Sequence, residues 1–118
     1  MKPIITRFPP SPTGFLHVGG LRTALYAYLA AKKSGGEFML RIEDTDRARL
    51  VEGATINIVE ALHWAGITMD RGVDMDESGN IVQKGDHGPY IQSERKEAGI
   101  YQAHIEKLLA GGHAYYAF

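Results

Sequence analysis

Three short segments of the sequence carry residue types that suit chemistry. The first, from Arg7 to Gly20, has the sequence RFPPSPTGFLHVGG; the second, residues 41–47, is RIEDTDR; the third, residues 90–95, is YIQSER. A glycine-containing turn before a helix suits a phosphate group, because free backbone N–H groups and the positive end of the helix dipole meet there. The three carboxylates of the second segment suit an ammonium group or a metal ion.

In the first segment, His17 is the residue that would donate a hydrogen bond to a phosphoryl oxygen. Gly19 and Gly20 follow it and would let a ligand approach the backbone without a Cβ in the way. The segment matches neither G-x-x-x-x-G-K-[ST] nor G-x-G-x-x-G, the common phosphate-binding patterns. A proline-rich turn and a glycine-rich helix start that bind nothing account for the same residues, so the spacing alone leaves both interpretations open.

The second segment does not have the pattern of a calcium loop. After Asp44 and Asp46 that loop needs Asp or Asn and then Gly, whereas Ala48 and Arg49 stand there. Acidic residues are also favoured at the start of a helix, and composition alone favours that structural interpretation. The third segment by itself predicts only a loop and a helix cap at Ser93.

The elements that must position these segments follow from the apolar pattern. Residues 73–90 are polar and are predicted to be a surface excursion, with a small hairpin around Glu77–Asn80. The other predicted elements are a strand from Ile4 to Pro9, a helix from Leu21 that ends at Gly35, a strand over Phe38–Ile42, a helix from about Glu52 to Ala65, a brief strand at Ile67–Asp70, a helix from about Ser93 to Ala110 and a strand over 113–118.

This order predicts an α/β fold with a parallel sheet and flanking helices. Ligands bind at the carboxyl ends of the strands in such a sheet, so the first two segments, which both follow strands, are expected to open at the same end. Trp64 is expected in the core. The predicted inward faces of the helices are Leu21, Ala24, Leu25, Tyr28 and Leu29; then Ala54, Ile58, Ala61, Leu62 and Ala65; then Ala98, Tyr101, Ile105, Leu108 and Leu109.

Length and composition restrict the class of protein. The 118 residues suggest one domain or a piece of one. With 13 Lys and Arg against 14 Asp and Glu the formal net charge is -1, which argues against a global electrostatic grip on nucleic acid. The absence of cysteine excludes a disulfide scaffold, a thiolate zinc site and a cysteine nucleophile within these residues. No apolar run is long enough for a transmembrane helix, and the first ten residues do not form a signal peptide.

Taken together, the segments resemble a known family over nearly the whole chain. RFPPSPTGFLHVGGLRTAL, FMLRIEDTDRAR, HGPYIQSER and AYYAF closely resemble the amino-terminal part of bacterial glutamyl-tRNA synthetases, which are class I aminoacyl-tRNA synthetases. The class signature H-I-G-H corresponds to His17-Val18-Gly19-Gly20, and Gly20 in place of the second His is a variant that resembles the glutamyl enzymes. Ser11 and Arg47 also suit the glutamyl enzymes better than the glutaminyl ones.

The resemblance implies a fold and a boundary. Residues 1–118 would form the first half of a Rossmann-like nucleotide-binding domain of a cytoplasmic enzyme. The later half with its K-M-S-K-S-like motif, the acceptor-binding insertion and the anticodon-binding domain have no counterpart in these residues. We therefore expect an amino-terminal fragment that is inactive by itself and that self-associates weakly through an exposed sheet edge.

The resemblance also implies an activity and roles for single residues. The family activates L-glutamate with ATP and Mg²⁺ as co-substrates and transfers it to the 3′ end of tRNA(Glu). No resident metal, zinc site or tightly bound cofactor is expected in these residues. The implied roles are catalysis for His17, Gly19 and Gly20; ATP binding for Thr13 with the same three; glutamate binding for Arg7, Ser11 and Glu43; and a weaker role with substrate or tRNA for Asp44 and Arg47.

Two alternatives stay open at this point. A glutamyl-Q tRNA(Asp) synthetase, which attaches activated glutamate to a modified base, resembles the same motifs more loosely. A half-domain that stands alone and binds a nucleotide or a partner protein would need no catalytic residues at all.

Overall fold

Strands and helices alternate along most of the chain. The computed structural model describes all 118 residues. Its elements are β1 (Ile5–Phe8), α1 (Val18–Lys33), β2 (Glu37–Leu40), a 3-10 turn (Arg47–Arg49), α2 (Ala54–Trp64), β3 (Arg71–Met75), β4 (Ile81–Lys84), α3 (Gln92–Glu97) and α4 (Ile100–Ala110). No helix combines the length and the apolar character needed to cross a membrane.

The four strands form one sheet in the order β1-β2-β3-β4. The first three are parallel, with Thr6 opposite Phe38 and Leu40 opposite Gly72, and β4 returns antiparallel to β3. The predicted α/β fold with a parallel sheet and flanking helices is therefore confirmed, with the difference that β4 runs antiparallel and makes the sheet mostly parallel.

The core lies between one face of the sheet and helices α1 and α2. Alternate residues of a strand point to opposite faces, and the buried series on and after β2 is Phe38, Leu40 and Ile42. Ala24 of α1 and Leu62 of α2 are buried against the same cluster. Burying one such large apolar side chain contributes roughly 1.5–3 kcal/mol, so this layer holds α1 and α2 against the sheet.

Gly72 allows β3 to lie close to β2. Its φ is 93°, and a Cβ built on it would lie 2.0 Å from the carbonyl oxygen of Leu40. Any side chain at this position would push the two strands apart, so the sheet depends on the missing Cβ.

The segment after α2 differs from the prediction. Ile67–Asp70 is not a strand, and β3 begins only at Arg71. Ile67 and Met69 are buried, while Asp70 accepts a hydrogen bond from the Phe38 N–H at 2.7 Å and pairs with Lys32 at 2.6 Å. These contacts hold Asp70 beside the start of β2, and pairing with β2 begins only at the next residue, Arg71.

The predicted hairpin around Glu77–Asn80 is present, because β3 and β4 pair antiparallel on either side of it. The surrounding surface excursion, predicted over about 73–90, is not wholly at the surface. Val73 and Tyr90, at its two ends, are both buried in the core. Their burial comes from the sheet and from the return of the chain to Ile42, neither of which the polar composition reveals.

The last predicted helix is two helices. Gly99 has φ 71°, in the left-handed region, so it ends α3 and precedes α4. Ser93 does not cap this helix, because it lies inside α3, and Ile91 occupies the cap position. The apolar period continues across the break, which hides it in the sequence.

Three further expectations of burial or pairing are wrong. Residues 113–118 are not a strand, because neither edge strand of the sheet pairs with them. Trp64 is 85% exposed, since it lies on the side of α2 away from Leu62. The predicted inward face of α2 is buried or half-buried, whereas Leu25, Leu29, Ile105 and Leu108 on α1 and α4 are exposed.

Candidate functional site

The loops that follow β1 and β2 run side by side. The N–H of Arg41 donates to the carbonyl of Phe8 at 3.0 Å, and the N–H of Glu43 donates to the carbonyl of Pro10 at 2.9 Å. These bonds continue the parallel pairing of the two strands beyond their ends. The first two segments therefore open at the same end of the sheet, as predicted.

The third segment joins them through Ile42. The N–H of Ile42 donates to the carbonyl of Tyr90 at 3.0 Å, and its own carbonyl accepts from the N–H of Gln92 at 2.9 Å. The three segments predicted separately from the sequence are thus neighbours at the carboxyl ends of β1 and β2.

His17 is the N-cap of α1. Its Nδ1 accepts the N–H of Gly19 at 3.1 Å and that of Gly20 at 3.4 Å. A ring nitrogen that accepts carries no proton, so the proton of the neutral imidazole is on Nε2. Nε2–H is therefore available to a phosphoryl oxygen, whereas the N–H groups of Gly19 and Gly20 are already paired. This differs from the expected turn with free backbone donors.

Gly20 lies against Leu16. A Cβ at position 20 would lie 2.8 Å from Cδ1 of Leu16, so the end of that side chain, which packs against the core, would have to shift. The N–H of Leu16 donates to Oδ1 of Asn57 on α2 at 2.9 Å. Asn57 was not among the residues predicted from the sequence. The one feature that could have indicated it is an amide side chain next to the buried face of α2.

A cavity of about 410 Å³ opens beside His17. Ser11, Thr13, His17 and Gly20 are among its lining residues, on an apolar floor that includes Phe8. The structure thus brings together most residues expected to meet ATP, but Gly19 does not line the cavity. Its volume lies within the usual range for small-molecule sites.

Arg7 lies elsewhere, in a second cavity of about 260 Å³. It alternates with the buried Phe8 along β1 and so points to the opposite face of the sheet. Arg7 and Ser11, both expected to bind glutamate, therefore do not line one cavity. The residues that line this second cavity are Arg7, Met39, Arg41, His87, Tyr90 and Arg95.

The second cavity is strongly basic. The guanidinium of Arg95 donates to the carbonyls of His87 at 3.0 Å and Pro89 at 2.9 Å, which holds the chain at its rim. Arg7 makes no hydrogen bond or ion pair with another side chain. Three guanidinium groups around one cavity suit a carboxylate or a phosphate.

Glu43 stands next to this cavity, with its side chain 32% exposed. One carboxylate oxygen lies 3.8 Å from Nε of Arg41, which is close enough for charge attraction and too far for a hydrogen bond. Arg41 in turn donates from Nη2 to the hydroxyl of Tyr101 at 2.5 Å. The Glu43 carboxylate is thus attracted by the Arg41 charge while its lone pairs stay available.

Asp44 is engaged within the protein. Its two carboxylate oxygens accept from the N–H of Ser93 at 2.8 Å and from its hydroxyl at 2.6 Å. Asp46 binds Arg49 at 2.5 Å. The three carboxylates of the second segment therefore do not converge, and no group of three or more His, Asp or Glu side chains is placed to hold a metal ion.

Arg47 is the most accessible of the predicted site residues in this loop, with 67% of its side chain exposed. It lies 3.9 Å from Asp44 and lines a third cavity, of about 260 Å³. Thr45, Ser93, Lys96 and Glu97 complete the lining of that cavity.

Comparisons with known proteins agree on one family. Residues 3–118 match the family described as tRNA synthetases class I (E and Q), catalytic domain. Relatives named glutamate–tRNA ligase include the protein of Finegoldia magna, 58% identical over 118 residues, and that of Clostridioides difficile, 61% identical over 112 residues. A crystal structure of a glutamate tRNA ligase from Elizabethkingia meningosepticum, in complex with its amino acid, superposes with a TM-score of 0.76 at 47% identity.

Coverage of the two sides of these comparisons is very different. The alignments include 100%, 95% and 92% of this chain, but only 24%, 22% and 20% of the three relatives. The chain thus spans about a fifth to a quarter of their length. Because the family match extends over almost every residue and agrees with a parallel sheet whose loops meet at one edge, the chain belongs to the class I tRNA synthetases for glutamate and glutamine and lies within their catalytic domain.

Proposed function

We propose that these residues are the amino-terminal catalytic part of a glutamate–tRNA ligase of the cytoplasm. The full-length protein would activate L-glutamate with ATP and Mg²⁺ and transfer it to the 3′ end of tRNA(Glu). The observation that carries this proposal is the meeting of the three segments at one sheet edge, with the His17 cavity and Glu43 on adjoining loops.

In the first step, an oxygen of the glutamate α-carboxylate attacks the α-phosphorus of ATP, and the bond to the leaving pyrophosphate breaks. No covalent bond to the protein is needed, so the residues act by positioning and by stabilising charge. His17 would donate its Nε2–H to a phosphoryl oxygen. Thr13 and Gly20 line the same cavity and would contact the nucleotide.

Glutamate itself presents two carboxylates and one ammonium. Arg7 offers an unpaired guanidinium for the side-chain carboxylate, since a planar fork matches a carboxylate with two parallel hydrogen bonds. Glu43 would accept the ammonium with its free lone pairs, and Ser11 would donate a hydrogen bond from the other cavity. The substrate would then lie across the carboxyl ends of β1 and β2, between the two cavities.

Contact with tRNA would be local, because the net charge of these residues is only -1. Arg47 is an exposed cation on the loop that carries Glu43, and Lys96 lines the same cavity. Asp44 is a weaker candidate, because a bond to tRNA would compete with its two bonds to Ser93.

The direct test is aminoacylation by the full-length protein. We expect it to attach labelled glutamate to tRNA with consumption of ATP, and to lose that activity when the tRNA lacks its 3′-terminal adenosine. Labelling that persists on the shortened tRNA would place the glutamate on a base and contradict the ligase. The 118 residues alone are predicted not to form the adenylate, since they contain no K-M-S-K-S-like motif.

A further inference from the structure

Arg41 lies between the two residues that are proposed to hold the ends of glutamate. It lines the basic cavity together with Arg7, and its Nε is 3.8 Å from the carboxylate of Glu43. Its side chain is largely buried. The direction in which this guanidinium points therefore affects both proposed binding positions, that of the substrate carboxylate at Arg7 and that of the ammonium at Glu43.

One hydrogen bond sets that direction. Nη2 of Arg41 donates to the hydroxyl of Tyr101, which lies in the first turn of α4, 60 residues further along the chain. The ring of Tyr101 is held in turn by the guanidinium of Arg95, 5.8 Å from the ring centroid. Arg95 is fixed by the carbonyls of His87 and Pro89.

This arrangement keeps Arg41 from closing on Glu43. An arginine next to a carboxylate tends to form two parallel hydrogen bonds with it. Because Tyr101 holds Nη2, the Arg41–Glu43 separation stays beyond hydrogen-bond distance, and the lone pairs of Glu43 remain free for an ammonium. Without the hydroxyl, Nη2 would lose its acceptor, and pairing with Glu43 would compete with the substrate.

We propose that Tyr101 is a positioning residue for glutamate recognition, which acts by restraining Arg41 so that Glu43 can accept the substrate ammonium. This inference rests on the proposed function, and it adds a residue of α4 to a site otherwise built from loops after β1 and β2. Tyr101 itself touches neither substrate nor the reacting atoms.

The test is Tyr101→Phe in the full-length protein, with glutamate and ATP varied separately in aminoacylation assays. Phe keeps the aromatic face that Arg95 contacts and removes only the hydroxyl. We expect the KM for glutamate to rise about tenfold, as for loss of a hydrogen bond to a charged group, with kcat and the KM for ATP within about twofold. Tyr26→Phe is the matched control, because Tyr26 is 68% exposed on α1.

A double-mutant cycle separates this role from a general structural one. Lysine at position 41 lacks the fork that holds Tyr101 and that could otherwise close on Glu43, so Tyr101→Phe should have no further effect on the glutamate KM in an Arg41→Lys background. An unchanged glutamate KM in the single variant, or an equal rise with and without Arg41, would overturn the inference. The proposed function would be overturned by a different result, the failure of the wild-type protein to charge tRNA, so the two failures are distinguishable.

Discussion

The two nitrogens of the His17 ring differ in their contacts within the chain. Nδ1 accepts two backbone N–H groups at the start of α1, and Nε2–H is left for a ligand. Asparagine places an acceptor near the position of Nδ1 but no donor near that of Nε2, whereas alanine supplies neither. Comparing these two substitutions therefore separates the cap from the proposed phosphate contact.

We predict that His17→Asn keeps the free energy of unfolding within about 0.5 kcal/mol of wild type, because Asn is a good N-cap, and that it loses aminoacylation. His17→Ala should cost about 1 kcal/mol of stability and lose activity too. Urea denaturation and aminoacylation measure the two effects. Equal destabilisation by Asn and Ala would contradict the cap.

Arg7 is predicted to select glutamate over glutamine. A guanidinium gains a charge-assisted fork with a carboxylate and much less with a neutral amide. Arg7→Ala should raise the glutamate KM by at least about tenfold and leave the ATP KM nearly unchanged. Arg22→Ala, a change of an exposed arginine on α1, serves as the control. A glutamate KM that does not move would remove Arg7 from this role.

Unusual residue types in short segments were not enough to find every part of the site. Arg7, His17 and Glu43 stand out because each lies in a short segment with unusual composition. Tyr101 and Asn57 do not, because their contacts join residues 60 and 41 positions apart. Only the folded chain, which brings α4 to Arg41 and α2 to Leu16, places such pairs together.

At the scale of elements, the hairpin is attached to α2 through one carboxylate. Asp74 on β3 accepts from Lys84 on β4 at 2.7 Å and lies 2.8 Å from His63 on α2. Burial alone would raise the pKa of Asp74, but the hydrogen bonds from Lys84, the Met75 N–H and His63 outweigh it, so this pKa lies below its usual value of 3.8. The ionised form is therefore the one that stabilises the fold.

Because the folded-state pKa is the lower one, this stabilisation is present above pH 3.8 and is lost as the pH falls through the folded value. We predict that Asp74→Asn costs about 1–2 kcal/mol at neutral pH and that the difference from wild type narrows as the pH falls below 3.8. Urea denaturation at several pH values measures this. Glu77→Gln, in the exposed turn of the same hairpin, is the control. A difference that stays constant with pH would contradict the role of the charge.

Elements that bury one face of their own could be predicted from periodicity. Elements whose presence or position depends on a neighbouring strand or side chain could not. The periodicity of α2 identifies Ile58 and Leu62 correctly, because this face of the helix packs into the core cluster. The aromatic residues after His113 have strand propensity but no strand beside them. The position of β3 depends on Asp70 and Lys32, and such a long-range ion pair leaves no periodic trace.

At the scale of the whole molecule, β1 is an edge strand with one unpaired side. Ile5 on it is 58% exposed. An open apolar edge is a template for pairing with another chain, so the 118-residue chain is predicted to self-associate weakly. Ile5→Lys should shift sedimentation toward the monomer, whereas Ile105→Lys on the exposed face of α4 should not. Equal effects of both changes would point to general hydrophobicity rather than the edge.

Gly72 has a genetic consequence. Every missense change in its codon adds a Cβ, and that Cβ would meet the Leu40 carbonyl wherever the remaining atoms point. Chemical similarity of the new residue therefore gives no protection, and even alanine should score as a null allele in a saturation screen. Codon 68, which encodes an exposed threonine in the same segment, should accept many replacements. Tolerance to mutation would thus change abruptly within a few codons, following the distance between two backbones rather than the distance from the substrate.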